Sequence, residues 1–165
     1  MRSPVTLVVA TVVFVAGIRL ACAAAEPEEA VSRVLDDFHA AASAADEDRY
    51  LGHLAADGMF LGTDASERWT VAEFREFVHP YFSEGRGWTY VALERHVAVS
   101  RNGRLAWFDE TLRNEKYGTL RGSGVLRRTG SAWKIVQYNM TFLVPNAVAP
   151  DVVDLIRGAT DSPAP

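Results

Sequence analysis

The chain has 165 residues, 17 of them basic against 21 acidic, and a single cysteine. A net charge of −4 offers no electrostatic footprint for nucleic acid, and one cysteine excludes an internal disulfide framework. Stability must therefore come from a buried core, for which this length suffices in one domain.

The first 25 residues differ in kind from the rest: Arg2 gives a positive start, Val5 to Ile18 is almost wholly apolar, and the small residues of "ACAAAE" follow. This is the pattern of a secretory signal. The apolar run is shorter than the roughly 20 residues a membrane-spanning helix needs. Cleavage is expected after Ala25, with Ala23 and Ala24 as the alternative sites, leaving an exported chain, periplasmic or secreted. Losing Arg2 and Arg19 reduces 17 basic residues to 15 against 21 acidic, a net charge of −6. The rival reading is a lipoprotein modified at Cys22, although Arg19 stands where such sites carry an aliphatic residue. No membrane association is expected of the processed chain unless Cys22 carries lipid.

From Glu26, apolar residues at Val31, Val34, Leu35, Phe38 and Ala42 mark an amphipathic helix. A polar break precedes a short second helix carrying Tyr50, Leu51 and Leu54, which Asp57-Gly58 should end. "MFLG" reads as a brief strand. Thr70 and Glu73 then form a capping box, Trp69 is placed to staple onto Phe74, and Phe74, Phe77, Val78 and Tyr81 make a buried stripe. His79-Pro80 is expected to close or kink this helix.

Four long strand-like runs follow, beginning at Trp88, Arg104, Thr119 and Ala132. Asn102-Gly103, "EKYG" and "TGS" separate them, and Asn-Gly is a strong hairpin signal. A short helix over Pro150–Arg157 should stop at Gly158, before a disordered tail. The boundaries are thus 1–25 signal, 26–158 domain and 159–165 tail. The fold class is α+β, with N-terminal helices packed on a strongly curved antiparallel meander.

Strand alternation divides the sheet into two faces. In the last strand Val136, Tyr138, Met140 and Phe142 form the expected core set, opposed to Ile135, Gln137, Asn139 and Thr141. In the preceding strand Leu120, Gly122, Gly124 and Leu126 face inward. Between Trp107 and Leu112 either alternation puts one acid inside, Asp109 or Glu110. Counting back from the turns sets Asp109 beside Gly124, with Thr111 and Tyr138 beside Gly122. Asp109 and Tyr138 then lie about 10 Å apart across a glycine trough. The trough marks either room for a ligand or a place where the sheet bends.

The runs "VLDDFHAAASAADEDRYLGHLAADGMFLGTDASERWT", "GWTY", "WFDE" and "LRGSGVLRRTGSAWKIVQYNMTFLVPN" resemble the SnoaL-like branch of the nuclear transport factor 2-like superfamily. The resemblance spans Ala30 to Arg157 and implies a cone: a curved sheet and helices around a pocket. Such scaffolds host isomerases, cyclases, hydrolases, dehydratases, binding proteins and dimerisation modules, so fold does not fix activity. It implies that Trp107, Asp109, Tyr138 and Met140 point into the pocket. It also implies that Ile135, Gln137, Asn139 and Thr141 face a second copy in a homodimer. Isomerase-like and dehydratase-like relatives place an acid with a tyrosine, or a histidine with an aspartate, in the cone.

The expected activity is binding of a small, partly apolar molecule. The alternatives are an enzyme in which Asp109 moves a proton with Tyr138 as its polar partner, and a non-catalytic dimerisation module. The candidate ligand-binding residues are Trp107, Asp109, Thr111, Gly122, Gly124, Tyr138, Met140, Asp64 and Trp88. Each has a plainer role open to it: Asp109 in satisfying buried groups, Asp64 in an Asx turn, Trp88 in core filling. His39, His53, His79 and His96 are scattered without metal-binding spacing, so neither metal nor cofactor is expected.

Overall fold

The computed structural model describes residues 26–161, so the expected leader, Cys22 and the last four residues lie outside it. Helix α1 (Pro27–Ser43) opens with Pro27 in its first turn, where a missing N–H costs nothing, and with Glu28 and Glu29 complementing the helix dipole. Asp46 caps α2 (Glu47–Gly52) by accepting from the Arg49 amide at 3.2 Å.

Strand β1 (Leu54–Leu61) is longer than "MFLG" and runs through Asp57-Gly58, while β2 (Arg68–Thr70) is a short addition unmarked in the sequence. The capping box of α3 (Val71–Phe82) is formed in both directions, and Trp69 packs on Phe74 with ring centroids 5.7 Å apart. Pro80 does not end this helix, which continues to Phe82. The helix lies against the sheet through Phe74, Val78 and Phe82, and Phe77 and Tyr81 stay partly exposed.

The meander forms as read, in β3 (Val91–Val99), β4 (Leu105–Asn114), β5 (Gly118–Thr129) and β6 (Ala132–Phe142). Gly103 adopts a φ of 66° in the first hairpin, a conformation that glycine takes without steric cost. The sheet order is β2-β1-β6-β5-β4-β3. It is a curved, open, mixed sheet, because β1 joins β6 in parallel while the other pairs are antiparallel. After a 3-10 turn (Asn146–Val148), α4 (Ala149–Asp161) continues past Gly158 into the stretch expected to be tail.

Two local shifts determine which side chains face the helices. β6 carries a bulge opposite Val125 and Leu126, which pair with Gln137 and Ile135 and leave Val136 without a partner. Ile135, expected on the outer face, is therefore fully buried, and Tyr138 two pairs further on is buried as well. In β4 the register is one residue away from the count made from the turns: Glu110 pairs Gly122, Asp109 pairs Ser123 and Phe108 pairs Gly124. A one-residue slip exchanges the faces of a whole strand.

Candidate ligand cleft and the buried carboxylate behind it

The inward acid is Glu110, whose side chain has no exposed surface, and Asp109 is exposed on the outer face. Trp107, 52% exposed, and Thr111 share that outer face. None of these three points toward the helices, as the resemblance and the turn count had implied, and the β4 register is the reason.

Glu110 is held by donors from three elements. Tyr138 donates its hydroxyl hydrogen to Glu110 Oε1 at 2.8 Å, and His39 Nε2 lies 2.8 Å from the same oxygen. Arg95 donates from Nε to Oε2 at 2.8 Å and from Nη1 to the Ser32 carbonyl at 3.0 Å and Asp36 Oδ1 at 2.6 Å. A buried ion pair of this kind offsets its desolvation only when such further hydrogen bonds are made. Arg95 Nη2 is the one buried side-chain polar atom without a protein partner among the described residues.

The electrostatics follow from burial and neighbours. Burial alone would raise the Glu110 pKa, but the hydrogen bond and charge of His39, the charge of Arg95 and the Tyr138 hydroxyl together hold it below the ordinary carboxylate value. Tyr138 is pushed well above its ordinary value by its own burial and by the Glu110 charge beside it. The pair is an ionised acid accepting from a neutral phenol. It anchors α1 to the sheet, with both carboxylate oxygens hydrogen-bonded.

Gly122 and Gly124 lie on the inner face, as expected, but the room they leave is filled by protein. A Cβ on Gly122 would sit 2.3 Å from the Tyr138 hydroxyl and 3.0 Å from Glu110 Cγ. One on Gly124 would meet the Gln137 carbonyl at 2.1 Å and Phe108 Cε1 at 2.9 Å. The first glycine admits the hydrogen bond between acid and phenol, and the second admits close approach of the β6 backbone.

Open space lies to one side of this cluster, in a cleft of about 1180 Å3. One wall is aromatic, with Tyr50, Phe60, Trp69, Phe74, Phe77 and Trp88. Leu120, Met140, Phe142 and the hairpin carrying Tyr117 make the other. Phe60 links cleft and anchor: it lines the cleft, stacks on Phe74 at 4.1 Å and lies parallel to Tyr138 at 5.4 Å. Neither Tyr138 nor Glu110 is part of the lining. Of the expected ligand contacts, Trp88 and Met140 are in the lining.

Asp64 lies outside the cleft lining. It closes an Asx turn in the β1–β2 loop, its Oδ1 accepting from the Ser66 amide at 2.8 Å and hydroxyl at 2.6 Å. No group of three His, Cys, Asp or Glu side chains able to hold a metal occurs among the described residues.

The sequence reading missed His39 and Arg95. His39 stands four residues after Leu35 and eight after Val31, on the apolar stripe of α1, and a polar residue on such a stripe signals a buried partner. Arg95 pairs across from Glu110 in the β3–β4 ladder, a relation visible only with the register.

A family model, the SnoaL-like domain, matches residues 31–145. No curated protein sequence matches the chain. Among solved structures it is similar to a protein of unknown function, described as NTF2-like, from Pseudomonas putida. That pair shares 14% identity over 69% of this chain and 84% of the other, with a TM-score of 0.60. It is also similar to a provisionally assigned dehydratase of the same superfamily from Streptomyces avermitilis, at 15% identity over 72% of this chain and 96% of the other, with a TM-score of 0.61. A cystatin-like protein of unknown function from Nostoc punctiforme, 15% identical over 72% and 91% of the two chains, gives 0.57. At these identities the likeness is one of fold.

Proposed function

The chain belongs to the SnoaL-like family, and from that premise we propose that it binds a small, partly apolar molecule in the aromatic-lined cleft. The observation that carries this reading is the cleft itself, open on one side and walled by side chains such as Trp69, Phe74 and Trp88. Concave, largely apolar sites with a few polar groups at the edge are the common form of small-molecule sites. Arg113, Asn114 and Lys116 supply that polar edge.

The full engagement of Glu110 favours binding over proton transfer, because its carboxylate already receives three donors and lies out of the lining. The second reading is an isomerase-like or dehydratase-like enzyme. The contact of a carboxylate with both a histidine and a tyrosine is the feature that supports it, with Glu110 taking the role expected of Asp109. Fluorescence titration of the cleft tryptophans against a library of small apolar molecules tests the first reading, and turnover lost in Glu110→Gln at unchanged ligand affinity supports the second.

Two further expectations stand as part of this proposal. The apolar run Val5 to Ile18 supports export, as a processed chain or as a lipoprotein at Cys22. The outer sheet face supports pairing with a second copy, since half-exposed Trp107 is followed across the strands by Val125 and Gln137. Asn139 and Thr141 extend that face, whereas Ile135 belongs to the core.

A further inference from the structure

Helix α4 leaves the body of the protein at the cleft. β6 ends in Phe142, a lining residue held in place as the Leu143 amide donates to the Thr119 carbonyl at 3.4 Å. Only residues 143–148 separate it from α4. The helix is amphipathic, with Val152, Leu155 and Ala159 at i, i+3 and i+7, and with Asp151 and Asp154 on an adjoining stripe. Leu155 is 73% exposed and Val153 42%. A helix of 13 residues is marginal in water by itself and depends on burying an apolar face.

The cleft mouth has the complementary surface. Phe77, Tyr81, Tyr117 and Phe142 are each more than a third exposed there. Its edge is mixed in charge, with Glu67 and Glu115 beside Arg113 and Lys116; neither cation has a carboxylate within ion-pair distance among the described residues, and Lys116 Nζ lies 4.9 Å from the centre of the Tyr117 ring. Apolar face would meet aromatic mouth, and Asp151 would meet one of the cations, Asp154 being paired with Arg157 on its own helix at 3.3 Å. We infer that the mouth of the cleft is the docking surface for α4 of the same chain, which closes over it.

The same chain is the favoured occupant on grounds of tethering. The connection starts on the wall of the mouth itself: residues 143–145 reach up to roughly 10 Å when extended, and the 3-10 turn Asn146–Val148 leads from them into the helix. A tether this short presents the helix at an effective concentration on the order of mM, far above that of a second copy in dilute solution. Docking does not require the cleft to hold a ligand, so it stands or falls separately from the binding proposal.

The test is a disulfide cross-link in the full chain with its one cysteine removed by Cys22→Ser. Tyr117→Cys with Leu155→Cys places one thiol on the mouth and one on α4. Thr129→Cys with Leu155→Cys places the first at the opposite end of β5. Under dilute oxidising conditions the first pair should form an intrachain cross-link several-fold more than the second. Equal yields, or cross-links that join two chains, would overturn the proposal. Hydrogen exchange on the protein without introduced cysteines gives an independent reading. Leu155→Asp should speed exchange of amides in both α4 and α3, and unchanged α3 protection would count against docking.

Discussion

Tyr138 donates its hydroxyl hydrogen to Glu110 at 2.8 Å across a position, Gly122, where a Cβ would come within 2.3 Å of that hydroxyl. Gly122→Ala must therefore displace the phenol or the acid. Overpacking of this sort costs about 1–3 kcal/mol, and the lost hydrogen bond adds to it. Urea denaturation of the variant is expected to show a midpoint lowered to match. A variant as stable as the parent would mean that the anchor is looser than its geometry.

The adjacent acids of β4 should behave oppositely. Glu110→Gln removes the buried carboxylate that Arg95, His39 and Tyr138 contact and leaves Arg95 only the exposed Asp36 as a counter-charge, a change that typically costs about 3–5 kcal/mol. Asp109→Asn, on the exposed outer face, should alter stability by no more than about 0.5 kcal/mol. Denaturation of the two variants side by side reads out which acid faces the helices.

Acidification separates the same residue by sign. The Glu110 pKa is lowered in the folded protein, so its stabilisation is complete above the unfolded carboxyl value of about 4.3 and is lost as pH falls through the lower folded value. Glu110→Gln lacks this component. The difference in Tm between parent and variant should narrow as pH falls below about 4.3. Asp37, lowered to about 2 chiefly by its hydrogen bond from Arg49, is common to both proteins and cancels from the difference. A gap that stays constant down to pH 3 would contradict an ionised Glu110.

These outcomes turn on features that the sequence displays unevenly. The capping box at Thr70, the apolar stripe of α1 and the Asn102-Gly103 hairpin are local signals, set by residues three or four apart or by one backbone conformation. That an acid must face inward from β4 also follows from alternation alone, whichever acid it is. The choice of Glu110 over Asp109 depends on pairing with β5, and the turn of "EKYG" did not count out to the observed ladder. Strand alternation puts Ile135 on the outer face, but the bulge at Val136, which no residue type announces, interrupts that alternation and Ile135 is buried. The two inner glycines were legible as a missing volume. What fills that volume was not, because Tyr138 and Glu110 come from separate strands.

Pairing through the outer sheet face predicts that Trp107→Asp weakens self-association. The indole is 52% exposed on one copy and lies beside Val125, so a charge there would be buried in any interface that uses this face. Light scattering should show a dimer for the parent and a monomer for the variant at the same concentration. An unchanged dimer would place the interface elsewhere.

The central claim, that the aromatic cleft is a binding site, is tested most directly by amide chemical-shift mapping against a library of small apolar molecules. The account predicts hits whose largest shifts fall on Phe60, Trp69, Phe74, Trp88 and the segment from Tyr117 to Leu120. A library without hits, or hits whose shifts cluster away from these residues, would contradict it.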